Sequence, residues 1–393
     1  MKEISSDNCY LVSGKKISCC GCRACENICP KAAISMVEDK EGFFYPVIDK
    51  KKCVECNLCK KVCPMMKKIE SINPKAYSYI TSDEQQLLSA SSGGAFGDIV
   101  NSFFEDKKTF IYGCTFDENN KVIHLGVDNL NDIEQFKKSK YVQSNMLNVY
   151  KEIKKKLMDG YKVLFSGTPC QVTALKSFLL KDYDNLLCVD IICHGVPSQK
   201  IFDYYLKTEE RKNNSKIKKI NFREKKLEDN GLYSSKNIKL VFENGTSKIL
   251  SPNTSSFLKG FSERLFYRPS CSKCKFASIN RISDITIADA WGITKYKKCD
   301  FHKGASYIIL NTEKGIKVFE KMTGDKDEVS TKFIDKNNEC YNNPTFFNGN
   351  RKKYFKEVTL ENFDEITFKY ARRPLYVKIL FVAKKTLTNI FKG

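Results

Sequence analysis

The chain has 393 residues, 41% hydrophobic and 12% aromatic, a composition that suits globular domains with real cores and excludes a disordered or fibrous chain. It carries a formal charge of +21 and 18 cysteines, while histidine is limited to His124, His194 and His302, so a histidine-rich metal site is excluded by count. Met1 to Tyr10 lacks a basic segment followed by an apolar run, and no apolar stretch approaches the roughly 18 residues that span a bilayer, so a soluble, cytoplasmic protein is expected. There, so many cysteines point to metal or redox chemistry rather than to disulfides. The charge reflects either a lysine-rich composition or a positive face that steers an acidic redox partner; the lysines are spread along the whole chain, which argues against nucleic acid.

Two cysteine runs come first. Cys19, Cys22, Cys25 and Cys29-Pro30 follow C-x2-C-x2-C-x3-C-P, and Cys53, Cys56, Cys59 and Cys63-Pro64 repeat it 34 residues later, with Cys20 a spare. Three thiolates on a tight loop clasp three corners of a four-iron cubane, and the cysteine before proline reaches across to the other one. One [4Fe-4S] cluster is therefore expected on Cys19, Cys22, Cys25 and Cys63, and a second on Cys53, Cys56, Cys59 and Cys29. Structural zinc would leave the third cysteine of each run and the closing Cys-Pro without a role. The run from Lys31 to Val37 and that from Gly42 to Asp49 read as short strands covering the clusters. The pattern resembles the bacterial dicluster ferredoxin fold, an α+β domain expected over residues 1–72.

A lysine-rich linker, Met65 to Pro74, leads into a pattern of alternating strands and helices. Strands are expected at Ala76–Thr81, Phe110–Phe116, Lys121–Val127, Tyr161–Phe165 and Leu186–Ile192. Helices are expected from Ser91-Ser92-Gly93-Gly94-Ala95 toward Phe104, on the Met146, Tyr150, Ile153, Leu157 face, and after Thr168-Pro169. This alternation implies an α/β core with a mixed sheet over residues 73–345, and the alternating residues from Lys216 to Phe242 suggest that part of that sheet is antiparallel. Residues 346–393 form a basic carboxyl-terminal region, whose end (Ala371 to Gly393) reads as a helix that either packs on its own domain or lies on a partner or membrane surface.

Cys170 falls in the first helical turn after a Thr168 cap, and Cys193 follows a strand. If those strands are parallel neighbours, both thiols lie at the carboxyl edge of the sheet, where α/β folds hold ligands. Cys271 and Cys274 add two thiols at metal-ligand spacing. Together the four could hold a third [4Fe-4S] cluster, a zinc ion, or nothing. Cys9, Cys20, Cys114, Cys188, Cys299 and Cys340 remain, and small buried hydrophobes are expected there.

Five stretches then occur in order: Ser92-Gly93-Gly94-Ala95-Phe96, Lys140-Tyr141-Val142-Gln143-Ser144, Gly167-Thr168-Pro169-Cys170-Gln171, Cys193-His194-Gly195-Val196-Pro197-Ser198, and the run from Asp284 through Asp289-Ala290-Trp291-Gly292. Together they resemble the coenzyme F420 hydrogenase/dehydrogenase beta-subunit family. Its members include flavoproteins that reduce the deazaflavin coenzyme or, in chlorophyll metabolism, use ferredoxin electrons. The resemblance implies an FAD approached by Ser92, Gly93, Gly94 and Ala95, with Lys140 and Gln143 near flavin or substrate, and Thr168 and Gln171 lining the same pocket. It also implies a flavin-proximal cluster on Cys170, Cys193, Cys271 and Cys274, and a wall formed by Asp284, Asp289 and Trp291. Where many relatives have Gly-Asp before the last aromatic, this chain has Ala288-Asp289-Ala290-Trp291. No dinucleotide fingerprint of glycines is present, so FAD rests on the resemblance alone.

These readings combine into an oxidoreductase that takes electrons from an acidic ferredoxin or flavodoxin and passes them through the clusters to FAD and an unidentified small-molecule acceptor, with Lys140 as the candidate proton donor. The rival expectation is a non-catalytic electron-transfer subunit that docks on a separate enzyme.

Overall fold

The computed structural model describes residues 8–228, 233–295 and 301–371. The basic segment from 372 to 393 and Cys299 lie outside the described residues.

The amino-terminal region is built around a hairpin of β1 (Ile34–Glu38) and β2 (Phe44–Ile48), with the two cysteine loops on either side of it. Each loop runs into a very short helix, Ala24–Ile28 or Leu58–Lys61. Their backbones repeat as their sequences do. Gly21 and Arg23 have φ of 70° and 63°, and Glu55 and Asn57, at matching positions, have φ of 52° and 59°.

The larger region is ordered around an eight-stranded mixed sheet. Its strands are β3 (Lys75–Ile80), β4 (Thr109–Phe116), β5 (Val122–Val127), β6 (Lys162–Gly167), β7 (Leu186–Ile191) and, after an excursion, β11 (Ile285–Asp289), β12 (Ser306–Leu310) and β13 (Asp325–Glu328). The spatial order is β13-β3-β12-β11-β7-β6-β4-β5. The central four, β11, β7, β6 and β4, are parallel, and the flanking strands are antiparallel. Leu186 to Asp190 are all buried, as expected of a parallel strand covered on both faces. Helices Val149–Met158 and Pro169–Leu179 cover one face and Ala95–Phe103 and Glu313–Glu320 the other.

The alternating residues from Lys216 do form strands, but not in this sheet. β8 (Ile217–Leu227), β9 (Tyr233–Phe242) and β10 (Ser247–Leu250) make a separate antiparallel sheet. Its inner face carries Ile220, Phe222, Ile238 and Leu240, which pack with Phe202, Phe257 and Phe363 into a core of their own. The antiparallel strands of the main sheet come instead from β3, β5, β12 and β13.

The two regions share a core. Cys22, Ala24, Val62 and Met65 of the cysteine loops pack against Val172, Leu175 and Phe178 of the helix that follows β6. Polar ties reinforce the contact: Asn27 Nδ2 donates to Leu147 O at 2.8 Å, and Lys275 Nζ donates to Met65 O at 2.9 Å and Lys67 O at 2.7 Å. No helix among the described residues is long and apolar enough to cross a membrane.

Candidate redox site

In the amino-terminal region, Cys19, Cys22, Cys25 and Cys63 border one small cavity, closed on the hairpin side by Met36 and Pro46. Burial and the neighbouring Cys19 charge push Cys25 up. Cys9 borders the cavity too and shares a hydrogen bond with Cys63, which draws the Cys9 thiol down and pushes Cys63 up. Of the second set, Cys29 Sγ accepts the Ala33 N–H at 3.2 Å, Cys53 and Cys59 are half-buried, and Cys56 is exposed. The left-handed residues at matching loop positions give the fit to an anionic cluster. Alternating αR and αL conformations turn successive N–H groups inward, a concavity that binds anions, Fe–S clusters among them.

The core thiols come from three separate segments. β6 and β7 are parallel neighbours, so Cys170 and Cys193 both lie beyond the carboxyl edge. Thr168 and Gln171 close a capping box, with the Thr168 N–H donating to Gln171 Oε1 at 2.9 Å, which starts the helix at Pro169 and puts Cys170 in its first turn. Cys271 and Cys274 sit in and just after the 3₁₀ turn Pro269–Lys273. The four converge. Burial and the charges of Cys271, Cys170 and Cys274 push Cys193 well up. Burial and Cys274 raise Cys271 to about 12, and burial and Cys170 raise Cys274 to about 11. Thiols this reluctant to ionise together suit a cation that takes the place of their protons, one zinc ion or one cubane.

Cys20, expected as a spare, occupies the junction. It borders both cavities and hydrogen-bonds Cys170, which together with burial raises the Cys170 thiol. Its doubling of Cys19 was the only trace in the sequence, and the role of Cys9 left none.

The core thiols lie against a cavity of about 590 Å³, within the size range of small-ligand sites. Ser92, Gly94 and Ala95 line it at the start of helix Ala95–Phe103, where Gly94 adopts φ of 82°. A Cβ on Gly94 would come within 2.5 Å of Thr81 Cγ2. Gly93 faces away, its N–H donating to Ser306 Oγ at 2.9 Å, and its own Cβ would meet Tyr79 O at 2.3 Å. Lys140, Gln143, Thr168 and Gln171 all border the cavity. Lys140 Nζ is held by three carbonyls, Gln135 O at 2.6 Å, Lys137 O at 2.8 Å and Lys138 O at 3.3 Å. Burial brings its pKa down to about 8. Gln143 is tied to the amino-terminal region, its Nε2 donating to Cys20 O at 2.9 Å.

Asp289 and Trp291 form part of the wall, but Asp284 does not. It lies at the other end of β11, buried, accepting from the Cys188 N–H at 2.7 Å and Thr312 Oγ1 at 2.8 Å. Five extended steps separate Asp284 from Asp289, roughly 17 Å. Arg223, from the second sheet, joins the wall instead: its Nη2 donates to Ser91 O at 3.0 Å and Asp289 Oδ1 at 2.8 Å. Among the described residues, four buried nitrogen atoms of the lining side chains have no hydrogen-bond partner: Arg223 Nε, His124 Nδ1, and Arg281 Nε and Nη1. Basic side chains, including Lys138, Lys140, Lys236, Arg223 and Arg264, outnumber the lining carboxylates Asp289 and Glu339. An anionic ligand with hydrogen-bonding edges fits this lining. Near the mouth, His194, Glu339 and Cys340 bring donor atoms within 4.8 Å of one another, with Glu339 paired to Arg264.

Comparison with known proteins bears on both regions. Residues 18–66 match the model of the 4Fe-4S dicluster domain, and residues 160–336 match that of the carboxyl-terminal part of the coenzyme F420 hydrogenase/dehydrogenase beta subunit. Among solved structures, the chain is similar to a chain of the F420-reducing [NiFe] hydrogenase complex from Methanosarcina barkeri, determined with xenon derivatization. Identity is 16%, over 74% of this chain and 95% of that one, with a TM-score of 0.46. A search of curated proteins finds no match. The chain is thus an iron–sulfur electron-transfer protein that joins a 4Fe-4S dicluster domain to a segment similar to the carboxyl-terminal part of the coenzyme F420 hydrogenase/dehydrogenase beta subunit.

Proposed function

We propose that the protein is an iron–sulfur flavoprotein oxidoreductase. Electrons from an acidic ferredoxin or flavodoxin enter at the dicluster domain, pass to a third four-iron cluster on Cys170, Cys193, Cys271 and Cys274, and reach an FAD in the adjoining cavity that serves a small organic acceptor. The observation that carries this reading is the succession of thiols from the exposed Cys56 and neighbouring Cys59, across the small cavity that Cys59 and Cys20 both border, to Cys170 and a basic cavity. A bound flavin would supply the change from one-electron to two-electron chemistry.

The chain's own residues orient, insulate and supply protons. Ala95 and Phe96 line the cavity in the first turn of their helix, where free backbone N–H groups suit a phosphate or an anionic ring edge. Arg223 and Lys236 add positive charge on the Trp291 side, with the Arg223 guanidinium 5.8 Å and Lys236 Nζ 4.7 Å from the indole centre. Thr168 and Gln171 hold the helix start that carries Cys170. Lys140, with a pKa near 8, holds a proton it can release close to neutral pH, and its three carbonyl partners fix the ammonium at the cavity edge.

The test is iron, sulfide and flavin per chain on protein purified without oxygen. About twelve irons with one flavin is the expected result, three four-iron clusters serving one flavin. About eight irons without flavin would overturn the enzymatic reading and leave an electron carrier.

A further inference from the structure

Between the two regions lies one buried guanidinium. Arg268 is only 1% exposed. Its Nε donates to Cys19 O at 2.8 Å, its Nη1 to Gln143 Oε1 at 2.9 Å, and its Nη2 to Phe44 O at 2.9 Å and Cys19 Sγ at 3.5 Å. The guanidinium also lies over the rings of Tyr45, at 4.6 Å, and Phe43, at 5.3 Å. None of these partners is a carboxylate, and among the described residues Arg268 makes no ion pair with one. Burying a charge unpaired is costly, so the site calls for another source of negative charge. The groups at hand that would carry negative charge as cluster ligands are Cys19 on one side and Cys271 on the other.

The backbone of Arg268 belongs to the core thiol site. Its N–H donates to Val196 O at 2.9 Å, just beyond Cys193, and it precedes the turn that carries Cys271. One residue thus holds a core ligand loop with its main chain and an amino-terminal cluster ligand with its side chain. Gly21 makes the approach possible: a Cβ there would lie 2.6 Å from both Arg268 Nη1 and Gln143 Nε2.

We propose that Arg268 is the positioning residue that sets the potential of the cluster on Cys19, Cys22, Cys25 and Cys63 relative to the core site, and so governs one-electron transfer across the junction. The inference rests on the reading that both thiol sets hold four-iron clusters. In the step, the amino-terminal cluster gives up one electron and the core cluster takes it up, with no bond made or broken and no proton moved. Reduction adds one negative charge beside the guanidinium, which favours the reduced form and raises the potential of that cluster. The cluster on Cys29, Cys53, Cys56 and Cys59 has no ligand in contact with Arg268 among the described residues and serves as internal reference.

The experiment is an anaerobic redox titration of the full-length, cluster-loaded protein, with the electron paramagnetic resonance signals of the two amino-terminal clusters followed separately. Arg268→Gln is expected to lower the reduced-to-oxidised ratio of the Cys19 cluster about tenfold at fixed ambient potential, about 59 mV for one electron. The reference cluster should stay within twofold of wild type. Arg268→Lys, which keeps the charge but not the fork, should give a smaller drop in the same direction, about threefold. If Arg268→Gln fails to retain iron, the lysine variant decides, and a wild-type potential in it overturns the proposal. Equal shifts of both clusters, or no shift in Arg268→Gln, also overturn it. Fewer than about twelve irons in the wild-type protein would defeat the cluster reading itself, a failure visible before any titration.

Discussion

Eight thiols of the dicluster region sit on two short loops, each fixed by its own backbone, with left-handed residues at Gly21, Arg23, Glu55 and Asn57. The four core thiols come from the ends of two neighbouring strands and from a turn about eighty residues further on, and a sheet already complete on its other faces brings them together. The first arrangement is local and has little apolar core beyond the side chains it shares with the larger region. The second is long-range, and the scaffold that positions it is a fold in its own right. Ligand loops of the first kind are expected to fold with their cluster, while those of the second are expected to be placed by the sheet whatever they bind.

The largest effect expected from this difference follows iron removal. Chelation under reducing conditions should strip residues 18–66 of amide protection while β6 and β7 keep theirs, as followed by hydrogen exchange. Equal loss in both regions would erase the contrast. Next comes Cys193→Ala. It should lower the iron content by about four atoms per chain and abolish electron flow from the dicluster domain to the cavity, with the far-ultraviolet circular dichroism unchanged. Loss of the fold would mean that the core, too, depends on its metal.

A third test concerns the scaffold alone. His124 is buried against Phe165, its Nε2–H donating to Ser166 O at 3.0 Å, and burial lowers its pKa from 6.5 to about 4. Between those values the unfolded chain binds the proton and the folded chain does not, so stability rises with pH across that window. It should fall by roughly 3 kcal/mol as the pH drops from about 7 through 4. Denaturant titrations of His124→Gln should show this dependence flattened. The smallest effect expected is that of Thr168→Ala, which removes the cap before Cys170 and should cost about 1 kcal/mol, with iron content retained.

The same contrast explains what the sequence made legible. The C-x2-C-x2-C-x3-C-P runs announce a dicluster domain because the first three cysteines of each run lie close together on one loop. Thr168-Pro169 announces the helix start, and the apolar run at Leu186–Ile191 announces a buried strand. The strands between 217 and 242 were legible as strands, yet their sheet was not, since alternation reports a half-buried face without saying which core lies beneath it. Asp284 and Asp289 share one motif but stand at opposite ends of β11. Arg223, which joins the cavity wall, comes from another sheet with no spacing to give it away.

By itself, then, the sequence determined the dicluster domain, the α/β character of the core and the segments bearing the four further thiols, because each depends on local spacing, capping or periodicity. Only the tertiary structure decided that those thiols converge, that Cys20 joins the two regions and that Arg268 lies buried between them. These depend on strand order and on packing across long sequence separations, where neither period nor spacing carries information.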